Sequence, residues 1–412
     1  MILVKGGTLA DGRPADVLLD GPRIAKVGKV AGKADQVVDA KGLVVVPGLI
    51  DMHVHFREPG REDKETIASG AAAAVAGGFT SVAVMANSGR VCDDEVGVVY
   101  VRAKSAEAGL ANVYAVGAVS KGLKGEELAE LGKMAQAGAV AFSDDGMPVM
   151  NSELMRRALE YARMFGKPVL SHCEDATLTK GAVMNEGSVA AELGLKGYPN
   201  AAEAAMAARD VYLAALTGAH VHICHVSTRE TVEVIRRAKK EKIRVTAEAS
   251  PHHLLLTDER LRSYDSKFKM NPPLRVAEDV EAVLEAVADG TIDALASDHA
   301  PHTSEEKEQE LAACPNGVVG LETSLGVLLS LKKLPFERLI DALTAAPARI
   351  LGLGTKGVLR EGADADLTLI DPKASWTVDP SAFKSRSRCT PFAGMKLTGR
   401  AAHVIVGGRV CS

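Results

Sequence analysis

Short apolar, strand-like runs alternate with helical patterns from about residue 51 to residue 354. After a first strand that leads into His53, the strand candidates are Thr80–Met85, Val113–Val119, Ala139–Phe142, Pro168–His172, His220–His225, Ile243–Glu248 and Ile292–Ser297. The segments between them, such as Glu126–Gln136 and Ser152–Phe165, have helical composition. Eight strand–helix units in roughly 300 residues predict an α/β protein with a closed, TIM-like (β/α)8 barrel. An open dinucleotide-binding sheet is less favoured because no G-x-G-x-x-G motif follows a strand.

The two ends of the chain have a different pattern. Residues 1–50 and 355–412 hold short β-like runs separated by turn signals, namely Ala15–Leu19, Arg23–Val27, Leu367–Ile370 and Ala402–Val406. Neither end is long enough to bury a core alone. We therefore expect a small β domain built from residues 1–50 plus 355–412, beside a catalytic barrel of residues 51–354.

The composition argues against several classes of protein. The chain has 412 residues, of which 47% are hydrophobic and 25% charged, and its net charge of −4 gives no basic surface for nucleic acid or an anionic membrane. Six cysteines without a C-x-x-C pair fit reduced thiols, as expected in the cytoplasm. The apolar start is too short for a signal peptide, and Thr66–Gly89 is better explained as a helix followed by a strand than as a membrane span.

The segment Asp51–Arg57 directly follows a buried strand rich in valine. Alternate side chains of a regular strand share one face, so His53, His55 and Arg57 are expected to project together. Two neighbouring imidazoles make half of a metal site, and a guanidinium group suits a carboxylate.

Polar side chains recur at the C-terminal ends of five predicted strands, where barrel enzymes hold their working residues. They are His53 and His55, Asp144 and Asp145, His172, His225, and Asp298. Four imidazoles and at least two carboxylates predict a site for zinc or a similar divalent metal. This is more than one tetrahedral zinc needs, which favours two metals bridged by a carboxylate. The spacing does not choose between Asp144 and Asp145.

Strand alternation also makes predictions for the neighbours of these residues. Cys173 and Cys224 are expected to pack between barrel and helices, and His220 and His222 have the wrong parity to be ligands. Three further residues near the seventh strand could be hydrogen-bond partners of ligands or purely structural, and both roles stay open for Glu248, His252 and His253. The polar segment Ser304–Gly317 fits either a solvated loop or a lid over the site.

Three segments resemble the class I branch of the dihydroorotase family, in the amidohydrolase superfamily. They are Asp51–Gly60, Met270–Arg275 and Ser297–Thr303, and Gly320–Thr323 and Thr390–Phe392 also fit. The likeness covers essentially the whole chain. The chain departs from the family pattern at Met85–Gly89 and at Asn316.

The resemblance implies reversible cyclisation of N-carbamoyl-L-aspartate to dihydroorotate, the third step of de novo pyrimidine synthesis. It implies two zinc ions, or one, with Asp145 as the bridging carboxylate and Asp298 as the catalytic proton carrier. A homodimer and a complex with aspartate carbamoyltransferase are also expected from it. The implied metal ligands are His53, His55, Asp145, His172, His225 and Asp298, and the implied substrate contacts are Arg57, Asn87, Asn271 and His302.

Two alternatives remain. One is another cyclic-amide hydrolase, such as a hydantoinase or allantoinase. Hydantoinase-like relatives usually carry a carbamylated lysine at the fourth strand, and Phe142–Gly146 contains no lysine. The other is a catalytically silent subunit that scaffolds aspartate carbamoyltransferase, against which the presence of all six ligand positions argues.

Overall fold

The structure is a computed structural model that describes residues 1–30 and 34–412. Its strands are β1 (Ile2–Leu9), β2 (Pro14–Asp20), β3 (Arg23–Gly28), β4 (Gln36–Asp39), β5 (Val44–Pro47), β6 (Leu49–Val54), β7 (Phe79–Val84), β8 (Asn112–Gly117), β9 (Ala141–Phe142), β10 (Val169–Ser171), β11 (Met184–Asn185), β12 (Gly197–Tyr198), β13 (Val221–Ile223), β14 (Val245–Ala249), β15 (Ala294–Leu295), β16 (Leu367–Thr377), β17 (Lys396–Val406) and β18 (Arg409–Val410). Its α-helices are α1 (Ile67–Gly77), α2 (Glu95–Ala108), α3 (Leu131–Ala137), α4 (Ser152–Met164), α5 (Ala176–Thr179), α6 (Ser188–Leu193), α7 (Asn200–Thr217), α8 (Arg229–Lys240), α9 (Pro251–Leu255), α10 (Ala277–Ala288), α11 (Ser304–Lys307), α12 (Leu321–Leu331), α13 (Phe336–Leu343) and α14 (Ala345–Leu351).

Eight parallel strands form the central cylinder, in the order β6, β7, β8, β9, β10, β13, β14 and β15. A parallel bridge between Val54 and His299 joins the end of the eighth strand to the first. The backbone N–H of His55 also donates to the carbonyl of His299, at 2.8 Å. The predicted (β/α)8 barrel is confirmed.

Several predicted elements are shorter in the structure. The eighth strand, expected over Ile292–Ser297, has only two residues, and the helix expected over Glu126–Gln136 begins at Leu131. The chain just before that helix is held in an extended arrangement, because Ser120 and Leu128 form an antiparallel bridge. Helical composition therefore extended beyond the helix itself.

The uncharged segment Thr66–Gly89 is a helix followed by a strand, as predicted. Thr66 and Ser69 form a capping box that begins α1, and Gly78 ends it with a φ of 97°, a conformation that glycine adopts without steric cost. The strand β7 begins at the next residue. Across the two described ranges, the helices include none with the length and apolar character needed to cross a bilayer.

Strands from both ends of the chain pair in a second sheet. Its order is β18, β17, β16, β5, β1, β2 and β3, with β4 paired to β1. This sheet is linked to the barrel by one residue, Gly48, which lies between β5 and β6. The side chain of Thr368 on β16 also donates to the carbonyl of Gly78, at 2.7 Å. The sheet thus packs beside the first two barrel strands.

Candidate metal centre and active site

Four imidazoles and two carboxylates converge at the C-terminal mouth of the barrel, and Asp145 lies at their centre. Its Oδ1 atom is 3.3 Å from Nε2 of His53, 3.3 Å from Nε2 of His225 and 3.4 Å from Nδ1 of His172. Its Oδ2 atom is 3.4 Å from Nε2 of His55. One carboxylate therefore faces all four rings.

Asp298 completes one side of this cluster. Its Oδ1 atom lies 3.2 Å from Nε2 of His55 and 3.7 Å from Nε2 of His53. On the other side, Nδ1 of His172 lies 2.9 Å from Nε2 of His225. The six side chains form two groups that share Asp145.

The donor atoms fit metal binding. Ligands of a tetrahedral zinc, each about 2.0–2.1 Å from the ion, lie about 3.3 Å from one another, and most of the separations above are close to that value. Nε2 of His53 is fully buried and makes no hydrogen bond to any residue in the described ranges. Buried polar atoms normally have a partner, and a cation would supply one here.

The electrostatics of the cluster also favour a cation. Burial would raise the pKa of Asp145, but the charge of His53 and hydrogen bonds from His172 and His225 lower it well below its usual range. The pKa of Asp298 is also lowered, because the hydrogen bond to His55 and the positive charges of His53, His55 and His225 together outweigh burial. Two ionised carboxylates thus lie at the mouth of an otherwise buried barrel.

Left-handed backbone conformations aim three of the site residues. The φ angles are 61° for Arg57, 32° for His225 and 50° for Asp298. All three residues lie beyond the regular part of their strands, where the alternation of the pleat no longer applies. Arg57 does reach the same cavity as His55, but the reason given from strand alternation was wrong.

The same departure overturns the prediction for Cys224 and His222. Cys224 packs inside the barrel with Met52 and Val116, not between barrel and helices. His222 also points inward, with Nε2 3.3 Å from Oε2 of Glu248. Regular strand alternation that directs Cys224 and His222 into the barrel would direct His225 toward the helices. The positive φ of His225 instead turns its side chain toward the metal-ligand cluster. Cys173 packs in the core between barrel and helices, as expected.

Protein partners hold two of the imidazole rings. Nδ1 of His53 lies 2.6 Å from Oε1 of Glu248, and Nδ1 of His55 lies 2.7 Å from Oδ1 of Asn87. Each contact leaves Nε2 facing the cluster, which is how outer partners orient metal-binding histidines. The amide nitrogen of Asn87 donates to the carbonyl of Asp145, at 3.0 Å. Glu248 thus has the partner role that sequence left open.

The remaining candidates have supporting positions. Asp144 points away from the cluster and accepts the backbone N–H groups of Val119 and Ser120, at 2.7 and 3.0 Å. His253 lies 3.0 Å from the carbonyl of Pro272, beside Asn271, and supports that segment. Burial lowers the pKa of His252 to about 4, so this ring is neutral.

A small cavity of about 210 Å³ opens beside the cluster. It brings together all four predicted substrate contacts with four of the six predicted ligands. Nε of Arg57 donates to the carbonyl of Pro301, at 3.2 Å, while its two terminal nitrogens make no hydrogen bond within residues 1–30 and 34–412. Burial lowers the pKa of Arg57 to about 10, which keeps it charged at neutral pH. The cavity lining is His55, Arg57, Asn87, Asp145, Gly146, His172, Asn271, Asp298, Ala300, His302, Asn316 and Gly317.

The rim beside Arg57 is a network of charged and polar groups. Nε2 of His302 lies 2.8 Å from the carbonyl of Asn316, and its Nδ1 lies 3.3 Å from the ammonium group of Lys64. Lys64 also pairs with Glu306 of α11, at 2.8 Å. Burial and the charge of Arg57 lower the pKa of His302 to about 3. Nε2 of His302 donates to the carbonyl of Asn316, and Nδ1 lies between the ammonium group of Lys64 and Oε2 of Glu306, which is 3.0 Å away.

Two buried lysines anchor the segment Ser304–Gly317. Nζ of Lys307 lies 2.9 Å from the carbonyl of Pro315 and 3.0 Å from that of Gly317. Nζ of Lys269 lies 2.6 Å from the carbonyl of Leu311 and 2.7 Å from that of Cys314. The two ammonium groups therefore fix the segment that the sequence predicted to be a solvated loop or a lid. The last residues of this segment, Asn316 and Gly317, line the cavity.

Sequence reasoning missed Glu174 and both lysines. Oε2 of Glu174 lies 2.9 Å from Nε2 of His172 and 2.7 Å from Nδ2 of Asn271. The available signal was an acidic residue two positions after a predicted ligand. Lys269 and Lys307 gave no signal, because a single lysine in a polar segment is usually exposed.

Comparison with known proteins places this site in a family. A family model described as dihydro-orotase-like matches residues 42–231. A protein of Pelotomaculum thermopropionicum named dihydroorotase is 53% identical over 419 residues, spanning 99% of this chain and 98% of that relative. A dihydroorotase of Geobacter metallireducens is 50% identical over 419 residues, with 99% of each chain covered.

The chain belongs to the dihydroorotase family.

Solved structures with the same fold include hydantoinases. The L-hydantoinase of Arthrobacter aurescens has a TM-score of 0.89 and 27% identity, covering 100% of this chain and 96% of its own. A D-hydantoinase from a Thermus species has a TM-score of 0.83 and 26% identity, covering 100% and 95%. This dihydroorotase-family chain is thus a cyclic amidohydrolase, and it has the barrel and the flanking sheet of the amidohydrolase superfamily.

Proposed function

We propose that this chain is a dihydroorotase. It interconverts N-carbamoyl-L-aspartate and (S)-dihydroorotate plus water, the third step of pyrimidine nucleotide biosynthesis. Relatives about half identical along the full length support the assignment. The observation that carries it is that the cavity holds a half-buried cation, Arg57, for an acidic substrate beside Asp298 and the histidine cluster.

The cluster is proposed to hold two zinc ions. His53, His55 and Asp298 would hold one, His172 and His225 the other, and Asp145 would bridge them; a single ion is the alternative. Nitrogen and oxygen donors of this kind suit zinc. When bound, zinc supplies a hydroxide nucleophile at neutral pH and polarises the carbonyl that is attacked.

Asp298 is the proposed proton carrier. In the hydrolytic direction, its carboxylate takes the proton of the attacking water as the water oxygen bonds to the ring carbonyl carbon. It then delivers that proton to the ring nitrogen as the carbon–nitrogen bond breaks. Ring closure reverses these steps. Its place on the cavity wall, 3.2 Å from Nε2 of His55, supports this role.

Arg57 is the proposed recognition group for the substrate carboxylate. Its terminal nitrogens are the atoms that can form a two-pronged hydrogen bond with a carboxylate. Asn271 and His302 would complete the pocket, and Asn87 would act in part through His55.

The test is turnover of dihydroorotate by the purified chain, together with metal analysis. Hydantoin and allantoin serve as competing substrates. We expect dihydroorotate to be preferred by at least a factor of about 100, activity to be lost on chelation, and zinc to restore it. Preference for hydantoin would assign the hydantoinase activity instead, and full activity after exhaustive chelation would reject the metal proposal.

We also propose a cytoplasmic homodimer and a complex of this chain with aspartate carbamoyltransferase. The family resemblance supports both. Light scattering of the pure chain, alone and mixed with the carbamoyltransferase of the same organism, measures both states directly. A monomer at all protein concentrations would reject the dimer.

A further inference from the structure

Glu174 connects the metal cluster to the substrate cavity. It lies two residues beyond His172, where β10 has ended, and is half-buried. Its Oε2 atom lies 2.9 Å from Nε2 of His172 and 2.7 Å from Nδ2 of Asn271. Its Oε1 atom accepts a hydrogen bond from the hydroxyl group of Thr179. One carboxylate oxygen is therefore shared by a candidate metal ligand and a candidate substrate contact.

The contact between Glu174 and His172 determines which nitrogen of the His172 ring is available to bind a metal. His53, His55 and His225 direct Nε2 toward Asp145, whereas His172 directs Nδ1 toward it. A neutral imidazole can bind a metal through Nδ1 only if the proton is on Nε2. Glu174 accepts a hydrogen bond from that Nε2–H group, so it holds His172 in the one tautomer that can bind a metal through Nδ1.

The contact with Asn271 orients an amide. A carboxylate accepts and cannot donate, so it must face the NH2 end of Asn271. The carbonyl end, Oδ1, is then directed away from Glu174. Asn271 lines the cavity, and Oδ1 can accept a hydrogen bond from an N–H group of the substrate ring. Nδ2 of Asn271 is also only 3.4 Å from Nε2 of His172. Without Glu174 the amide could therefore rotate and place Oδ1 toward this Nε2–H group instead.

We propose that Glu174 is a positioning residue that fixes the His172 tautomer and the Asn271 amide together. This rests on the proposed dihydroorotase activity. It predicts that one substitution weakens zinc binding and substrate binding through two separable routes. The zinc route depends on His172, and the substrate route depends on Asn271.

The test compares Glu174→Met with Glu174→Gln. Methionine fills the volume but accepts no hydrogen bond, whereas glutamine can accept both hydrogen bonds through one oxygen and donate to Thr179. For Glu174→Met we expect zinc affinity, measured by competition with a chromophoric chelator, to fall roughly 10- to 100-fold. We expect KM for dihydroorotate to rise roughly tenfold, the loss of about one oriented hydrogen bond. Glu174→Gln should stay within about threefold of wild type in both.

The double variant Glu174→Met/Asn271→Ala separates the routes. In the Asn271→Ala background, Glu174→Met should no longer raise KM but should still weaken zinc binding. Asp175→Asn is the matched control, since Asp175 is the next residue, is also half-buried and only caps α5. Unchanged zinc affinity in Glu174→Met, or a KM effect of equal size in both backgrounds, would overturn the proposal. If wild type fails to turn over dihydroorotate, the proposed function falls, and the zinc titrations still test the tautomer.

Discussion

Nδ1 of His53 lies 2.6 Å from Oε1 of Glu248, although the two residues are 195 positions apart in the chain. The ring is fully buried, so this contact decides which nitrogen carries the proton. Because Nδ1 donates to Glu248, Nε2 is the nitrogen that faces Asp145 and Asp298, and it must lose its proton before it can bind a metal. Burial would raise the pKa of Glu248, but the positive charge of His53, the hydrogen bond from His53 and the His222 ring 3.3 Å away together lower it to about 2.

We therefore predict that Glu248→Ala weakens zinc binding roughly 10- to 100-fold, as is usual when the acceptor behind a metal-binding histidine is removed. Glu248→Gln keeps a hydrogen-bond acceptor for Nδ1 of His53, so its zinc affinity should fall much less. Competition titration with a chelator measures both, and Glu241→Ala, an exposed acidic residue just after α8, is the control. Wild-type zinc affinity in Glu248→Ala would show that His53 is oriented by packing alone.

Asp298→Asn should keep the fold and most of the metal but lose turnover. Asparagine tolerates the positive φ of 50° at this position and retains one oxygen ligand. It cannot carry the proton, so we expect kcat to fall by roughly 100- to 10,000-fold. Elemental analysis for zinc on the same sample separates metal loss from proton transfer. Near-normal kcat with full metal content would refute the role of Asp298.

Arg57→Lys keeps the positive charge but removes the planar fork. We expect KM for carbamoyl aspartate to rise roughly 10- to 100-fold, the cost of one or two hydrogen bonds to a charged group. Turnover of hydantoin, which has no carboxylate, should change much less if it is measurable. Arg90→Lys, at an exposed arginine paired with Asp94, is the control. Unchanged kinetics would remove Arg57 from the substrate site.

The barrel and the set of candidate ligands could be predicted because both follow local rules. Strands alternate with helices, and polar residues recur at the ends of those strands. The orientation of Cys224 and His222 could not, because it depends on the left-handed backbone at His225, which no pattern of residue types signals. Glu174 and Lys307 were missed for another reason. Each has a distant partner as well as near ones: Asn271 is 97 residues from Glu174, and Lys269, whose carbonyl Lys307 contacts, is 38 residues from Lys307. Only the folded chain brings these distant pairs together.

Lys307→Met should release the segment that lines the cavity. The substitution leaves the carbonyls of Pro315 and Gly317 without their donor, and buried polar groups without partners are costly. We expect new protease cleavage within residues 308–317 and a higher KM, with unchanged zinc content. The wild-type segment should resist cleavage equally with and without a substrate analogue. Lys267→Met, at a partly exposed lysine paired with Asp265, is the control. Strong protection of wild type by the analogue would instead favour a lid.

His302→Gln should make the protein less sensitive to acid. Burial and Arg57 lower the folded-state pKa of His302 to about 3, below the ordinary value of 6.5. Below pH 6.5 the unfolded chain binds a proton that the folded chain does not, so stability falls as pH falls. Glutamine can still donate to the carbonyl of Asn316 but does not titrate. Between pH 7.5 and pH 5, the variant should therefore lose roughly 2 kcal/mol less unfolding free energy than wild type. Urea denaturation at each pH measures the difference, with His403→Gln on β17 as the control. Parallel stability curves for wild type and His302→Gln would show that His302 takes up protons equally in both states.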